Sequence, residues 1–198
     1  MIITIGREFG SGGHEIAKKI SERLNIKIYD KEIISQIALE NNVSEALVTY
    51  YDEKPIIKSL FEGSTNAINI VDKNIPLEEQ IYIAEKKFML DVAKKEKNCI
   101  FVGRCANYIF KNENDVLKIF ITSPLEKRIE RKMNQIHSSY NEVKKTVIQT
   151  DKQRAAYYKY HTGEIWNDRF AYDFYVNSGN LGIEKSVETI IGIINSLK

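Results

Sequence analysis

The chain opens on a β-branched run, Ile2-Ile3-Thr4-Ile5, that stops at Gly6, and the next apolar positions, Ile16, Ala17, Ile20 and Leu24, recur at helical spacing with charges between them. The first run predicts a short strand buried on both faces; the stripe predicts an amphipathic helix over 14–24. Residues 26–29 repeat the strand pattern up to Asp30, and Ile33, Ile34, Ile37 and Ala38 repeat the helical one over 32–41. Two strand-helix units in succession predict parallel pairing, because parallel neighbours need a crossover connection. Ile81, Ala84, Phe88 and Val92 then mark a long helix over 77–96, followed by a strand at 99–102, a turn at Gly103-Arg104 and a strand at 116–121. Ser123, Pro124 and Glu126 read as the start of the next helix, with Ser123 as its N-cap. A helix over 141–158, an alternating strand at 172–176 and a closing helix marked by Ile183, Val187, Ile190, Ile191 and Ile194 complete the pattern. Residues 42–77, punctuated by Pro55, Gly63 and Asn74, read as short helices and loops off the sheet. The expected fold is α/β: one five-stranded parallel sheet with helices on both faces, in a single domain over 1–198 with off-sheet segments at 42–77 and 127–165.

Composition changes this picture little. With 43% hydrophobic and 28% charged residues in 198, the chain is ordinary for a globular protein, which excludes wholesale disorder and low complexity. No apolar run approaches the ~18 residues of a membrane span, and MIITIG has no basic segment before it, so a cytoplasmic address is expected. Cys99 and Cys105 match neither a metal-ligand pair nor a redox CxxC, and read as reduced thiols. A net charge of +2 is too small to announce a nucleic-acid binder. Its distribution is more telling. Lys127, Arg128, Arg131, Lys132, Lys144, Lys145, Lys152 and Arg154 lie in one stretch with few acids between, which suits a small anionic ligand as readily as a polymer.

The candidate chemistry begins between the first strand and first helix, at Gly6-Arg7-Glu8-Phe9-Gly10-Ser11-Gly12-Gly13-His14. Parallel α/β sheets bind phosphate there, since glycines let amides point inward and the helix start adds partial positive charge. Four glycines in eight residues are costly to order and call for a close backbone approach. The spelling departs from G-x-x-x-x-G-K-[ST]: aligned on Gly12-Gly13, Arg7 replaces the first glycine and Gly13 the lysine. Arg7 is the local cation best placed to substitute; Lys18, one turn into the helix, either leans back toward the loop or forms a solvated face with Lys19. His14 either bonds a phosphate or caps the helix.

Taken together, GREFGSGGHEIAKKI, IYDKEI, VGRCANYI and TDKQRAAYYKYHTGEIW followed by YDFYVNS resemble the cytidylate kinase-like family, relatives of the P-loop nucleoside monophosphate kinases, over almost the whole chain. The resemblance implies a three-layer P-loop fold with a helical lid, and phosphoryl transfer from ATP with Mg²⁺ to a nucleoside monophosphate, CMP or dCMP first. It implies that Gly10, Ser11, Gly12 and Gly13 cradle the donor phosphates, beside Arg7 and His14 of the local reading. Asp30 would hold Mg²⁺ through water or the acceptor, or else cap the helix that follows. Arg104 would grip the acceptor phosphate, or else form a structural salt bridge. Arg128, Arg131 and Arg154 would supply charge in the transition state, with Asp151 orienting Arg154. Tyr157, Tyr158, Tyr160 and Trp166 read as packing, and His137 and His161 carry no ligand spacing. The expected partners are small nucleotides, with no membrane and no nucleic acid; a nucleotide-binding module without turnover is the alternative.

Overall fold

A computed structural model describes residues 1–30, 33, 75–135 and 138–197. The rest of the helix expected at 32–41, the off-sheet segment up to residue 74, and His137 lie outside the described residues. The described elements are β1 (Ile2–Arg7), α1 (Gly13–Leu24), β2 (Lys27–Tyr29), α2 (Leu77–Lys95), β3 (Cys99–Val102), α3 (Ala106–Ile109), β4 (Val116–Thr122), α4 (Leu125–Met133), α5 (Tyr140–Thr162), β5 (Phe174–Asn177) and α6 (Ser178–Ser196).

The strands pair in parallel in the order β2-β3-β1-β4-β5, so β1 is central, flanked by two strands much later in the chain. Side chains of a strand alternate between faces, and β3 shows both at once. Ile100 and Val102 join Ile3, Ile5, Ile119 and Ile121 against Ile16, Ile20, Val187 and Ile190 of α1 and α6. Cys99 and Phe101 turn the other way, onto Ile81 and Met89 of α2, Ala106 of α3 and Phe110. All four β3 residues are buried, which is why this strand reads as an unbroken apolar run. With β3 on one side of β1 and β4 on the other, the chain's direction of progress across the sheet switches at β1, and the crevice beyond the strand ends there is the usual ligand site of such sheets.

Several boundaries differ from the sequence reading. The N-cap of α4 is Pro124, without a side-chain hydrogen bond, and not Ser123. The Ser123 N–H donates to the Glu8 carboxylate at 2.8 Å, while its carbonyl accepts from the Arg128 Nε at 3.0 Å. These partners hold Ser123 to the loop after β1. The helix expected at 141–158 runs four residues further and starts earlier, at a capping box in which the Ser139 hydroxyl and the Glu142 side chain satisfy each other's backbone amides. The closing helix includes a first turn at Ser178, separated from the rest by a kink at Gly182, whose φ is 76°. The strand expected at 172–176 begins at Phe174, because Asp173 instead donates its N–H to the Lys118 carbonyl and accepts from the Lys118 N–H.

Phe101 is fully buried, stacked on Tyr29 and Phe110 with ring centroids 5.4 and 5.2 Å away. Phe101→Ala is expected to cost about 3–5 kcal/mol of unfolding free energy in denaturant titration. A loss under about 1 kcal/mol would show that the α2 face of the sheet is not packed as described.

Candidate functional site

The loop joining β1 to α1 is built on two glycines in the left-handed region, Gly10 with φ 83° and Gly12 with φ 81°. Both are also crowded. A Cβ on Gly10 would lie 2.9 Å from the Arg128 carbonyl oxygen, and one on Gly12 would lie 2.5 Å from Ile183. A Cβ on Gly13 would lie 2.5 Å from the Arg7 Cβ, so the residue standing in the lysine's place is a glycine that lets Arg7 pass beneath it. Gly12 is the N-cap of α1 and makes no side-chain cap, so the opening amides of the helix are offered at the loop. His14 is the second residue of α1 and does not cap it; its Nδ1 lies 2.6 Å from Asp30 Oδ2. Ser11 donates its hydroxyl to the Glu8 carbonyl at 2.8 Å and accepts at its own carbonyl from the Ser178 hydroxyl at 2.5 Å.

Cations surround this loop in unequal circumstances. Arg128 is 8% exposed and donates to the Ser123 and Phe9 carbonyls, at 3.0 and 3.2 Å, and to Asp151. Asp151 also accepts the Phe9 N–H at 2.7 Å. Asp151 therefore orients Arg128 and the loop, where the sequence reading had it orienting Arg154. Arg128 is consequently placed as a clamp under the loop. Arg131, half-buried and paired with Glu15, lies against Gly12, with its Cζ 3.3 Å from where a Cβ would stand. Arg154 donates to the Arg7 carbonyl at 3.2 Å, and its guanidinium lies 5.7 Å from the Phe9 ring centroid. Arg7 is buried, and Lys18 points to solvent. α4 and α5 thus bring Arg128, Arg131 and Arg154 to one loop although they are 26 positions apart in the chain.

A second constellation closes the far side of the crevice. After β3, Gly103, Arg104 and Cys105 are all left-handed, with φ of 79°, 50° and 57°. For the two residues with side chains this costs roughly 1–2 kcal/mol each, so the surroundings must impose it. The Arg104 side chain, 1% exposed, donates from Nη1 to Asp30 at 3.0 Å and faces Glu85 of α2 with its Nε 3.3 Å from the carboxylate. Glu85, fully buried, accepts the Tyr157 hydroxyl of α5 at 2.8 Å. Arg104 is thus salt-bridged in the structure, to Asp30 and to Glu85, a partner not expected from the sequence. Burial alone would raise the Asp30 carboxyl; the hydrogen bond from His14 and the charges of Arg7 and Arg104 overcome it and hold the group well below the usual carboxylate range. Arg104 and Arg154 line one cavity with Thr4, Asn107, Tyr157 and Tyr158. The Thr4 hydroxyl there is buried and has no hydrogen-bond partner among the described residues. His161 stacks on Tyr82 with centroids 3.9 Å apart, and burial lowers it to about 4, which leaves it a neutral packing residue at neutral pH.

No group of three His, Cys, Asp or Glu is placed to hold a metal among the described residues. Mg²⁺ seldom needs one: it is held chiefly by water and substrate phosphates with one or two carboxylates. Asp30, ionised and joined to α1 through His14, fits that single-carboxylate part. No described helix is long and apolar enough to cross a membrane.

The Asp30 environment has a pH consequence. A carboxyl lowered in the folded chain stabilises it fully above the ordinary value of about 3.9, and this contribution fades as pH falls through the lowered folded value. Asp30→Asn is expected to lower unfolding free energy by about 2–4 kcal/mol at pH 7, with the gap to the parent chain narrowing below about pH 4. A gap independent of pH down to 2 would mean that the ion pairs with His14 and Arg104 do not form.

Known proteins resemble this chain in sequence and in fold. Residues 2–180 match the cytidylate kinase-like family. The cytidylate kinase of Archaeoglobus fulgidus is 25% identical over 201 residues, covering 100% of this chain and 97% of that protein. That of Methanosphaera stadtmanae is 26% identical over 200 residues, covering 100% of both. A solved structure of an uncharacterized protein from Eubacterium ventriosum superposes with a TM-score of 0.74 at 26% identity over 99% of each chain. Shikimate kinase from Bacteroides thetaiotaomicron superposes with a TM-score of 0.58 at 15% identity over 98% of each, a likeness of fold alone. With the glycine loop, the strand order and the full-length match in agreement, the chain belongs to the cytidylate kinase-like family.

Proposed function

We propose that the chain transfers the γ-phosphoryl group of ATP to a nucleoside monophosphate, with CMP or dCMP as the first acceptors to test. The observation that carries this is the uncapped start of α1 behind two left-handed glycines, bordered by arginines from α4 and α5. Amides aimed into one concavity and cations above it are what a polyphosphate needs. Family membership supports a nucleotide kinase, and the archaeal relatives named cytidylate kinases favour a cytidine nucleotide as acceptor.

In this reading Gly10, Ser11, Gly12, Gly13 and His14 present amides to the donor phosphates. The acceptor lies toward the cavity lined by Arg104 and Arg154, with Asp30 at its edge. Arg131 and Arg154 stabilise charge on the transferring group, while Arg128 keeps the loop in shape for them. Phosphoryl transfer asks mainly for positioning and charge stabilisation, so a prearranged set of half-buried arginines is suited to it. Mg²⁺, bound with the nucleotide, would screen the phosphate charges, with Asp30 the carboxylate that reaches it through water.

Gly13 in place of a lysine favours the second reading, a nucleotide-binding module without turnover. Incubation with ATP, Mg²⁺ and each of CMP, dCMP, UMP, AMP and GMP, followed by measurement of ADP, separates the two. Steady ADP release dependent on CMP or dCMP is expected; ATP binding without release on any acceptor supports the module. Arg154→Ala is expected to leave ATP affinity nearly unchanged and lower turnover about a hundredfold or more. Unchanged turnover would remove Arg154 from the site. Gly12→Val is expected to abolish ATP binding, since its φ and the proximity of Ile183 leave no room for a side chain.

A further inference from the structure

The loop lacks the ammonium that such loops usually carry, yet another ammonium stands beside it. Lys132, in the last turn of α4, places its Nζ 4.5 Å from the centroid of the Phe9 ring. Phe9 is itself part of the loop, held by its N–H to Asp151 and its carbonyl to Arg128. Arg154 approaches the same ring at 5.7 Å, so two cations from different helices meet at one loop residue. We propose that Lys132 supplies the polyphosphate of the donor nucleotide with the ammonium contact that the loop itself, with Gly13 in the usual place, does not provide. The inference rests on the reading of the loop as the polyphosphate site.

The neighbouring cations are already engaged. Arg128 is paired with Asp151 and two carbonyls, Arg131 with Glu15, and Arg7 is buried beneath Gly13 beside Asp30. Lys132 is half-buried, hydrogen-bonds the neutral Gln135 side chain at 2.9 Å, and has no carboxylate partner among the described residues. Burial pushes its ammonium down from the usual lysine range, and the charges of Arg131 and Arg154 push it further. A half-desolvated ammonium that feels two guanidiniums, and whose contacts among the described residues are an amide oxygen and an aromatic face, is an arrangement that a polyanion relieves. Its flexible stem lets the charge move from the ring face onto a phosphate without displacing an ion pair among the described residues. Lys132 is assigned a binding role; the arginines keep theirs in the transfer step.

The test is equilibrium binding of ATP, ADP and AMP to the parent chain, Lys132→Ala and Lys132→Arg, with Mg²⁺ present. Lys132→Ala is expected to weaken ATP roughly tenfold to a hundredfold and AMP by less than about threefold, and Lys132→Arg to keep most of the ATP affinity. In the parent chain, ATP or inorganic tripolyphosphate should protect Lys132 from acylation by acetic anhydride, a readout that needs no variant to fold and no turnover. If the parent chain binds ATP while Lys132→Ala binds it equally, or if Lys132 acylates as fast with ATP bound, the inference is wrong and the reading of the loop stands. If the parent chain binds neither ATP nor tripolyphosphate, the reading of the loop itself has failed.

Discussion

A buried guanidinium sets the terms for this structure. Arg128 carries a full charge to a place where it is 8% exposed, and everything around it is arranged to satisfy its donors: the carbonyls of Ser123 and Phe9 and the carboxylate of Asp151. Glu8, close enough to add its own charge at 3.6 Å, accepts in turn from Thr122 and Ser123 at the end of β4. Four elements that have no reason of sequence to meet, β1, β4, α4 and α5, are therefore tied at one point, and that point is the glycine loop. A buried ion pair adds little net stability over an apolar substitute, but losing one partner leaves a naked charge, so such a cluster fixes geometry more than it adds energy. Fixed geometry is what a loop that must present amides requires.

The other charged chain works on the same principle across the crevice. His14, Asp30, Arg104, Glu85 and Tyr157 link α1, the end of β2, the end of β3, α2 and α5. The left-handed turn at Gly103-Arg104-Cys105 is the strained link, held because Arg104 reaches carboxylates on two other elements. Strain concentrated at a strand end beside a cavity is consistent with a site whose shape matters more than its stability. The helix carrying Tyr157 also carries Arg154 and Asp151, so the position of α5 is referred to both charged clusters at once.

The sheet was legible because its strands are local statements. A β-branched run such as Ile2–Ile5, or the unbroken apolar Cys99–Val102, needs no distant partner to declare itself, and the glycine loop announced a close approach by its composition alone. What depended on distant partners was not legible. Ser123 looked like a cap until Glu8, 115 positions away, took its amide. Asp151 had Arg154 as a plausible neighbour one turn on, yet it serves Phe9, 142 positions away. Glu85 lies in an ordinary helical stripe and shows its role only through Arg104 and Tyr157. The capping box at Ser139 and Glu142, by contrast, is a local signal that the periodicity of α5 overshadowed. Lys132 is visible in the sequence only as one charge in a basic run, because its place beside the Phe9 ring is settled by packing.

The most direct test of the account is a crystal structure of the chain with a non-hydrolysable ATP analogue and Mg²⁺. The account predicts phosphate density against the amides from Gly10 to His14 at the start of α1, with the Arg128 clamp intact beneath it. Nucleotide bound elsewhere, with that loop empty or filled by side chains, would contradict it.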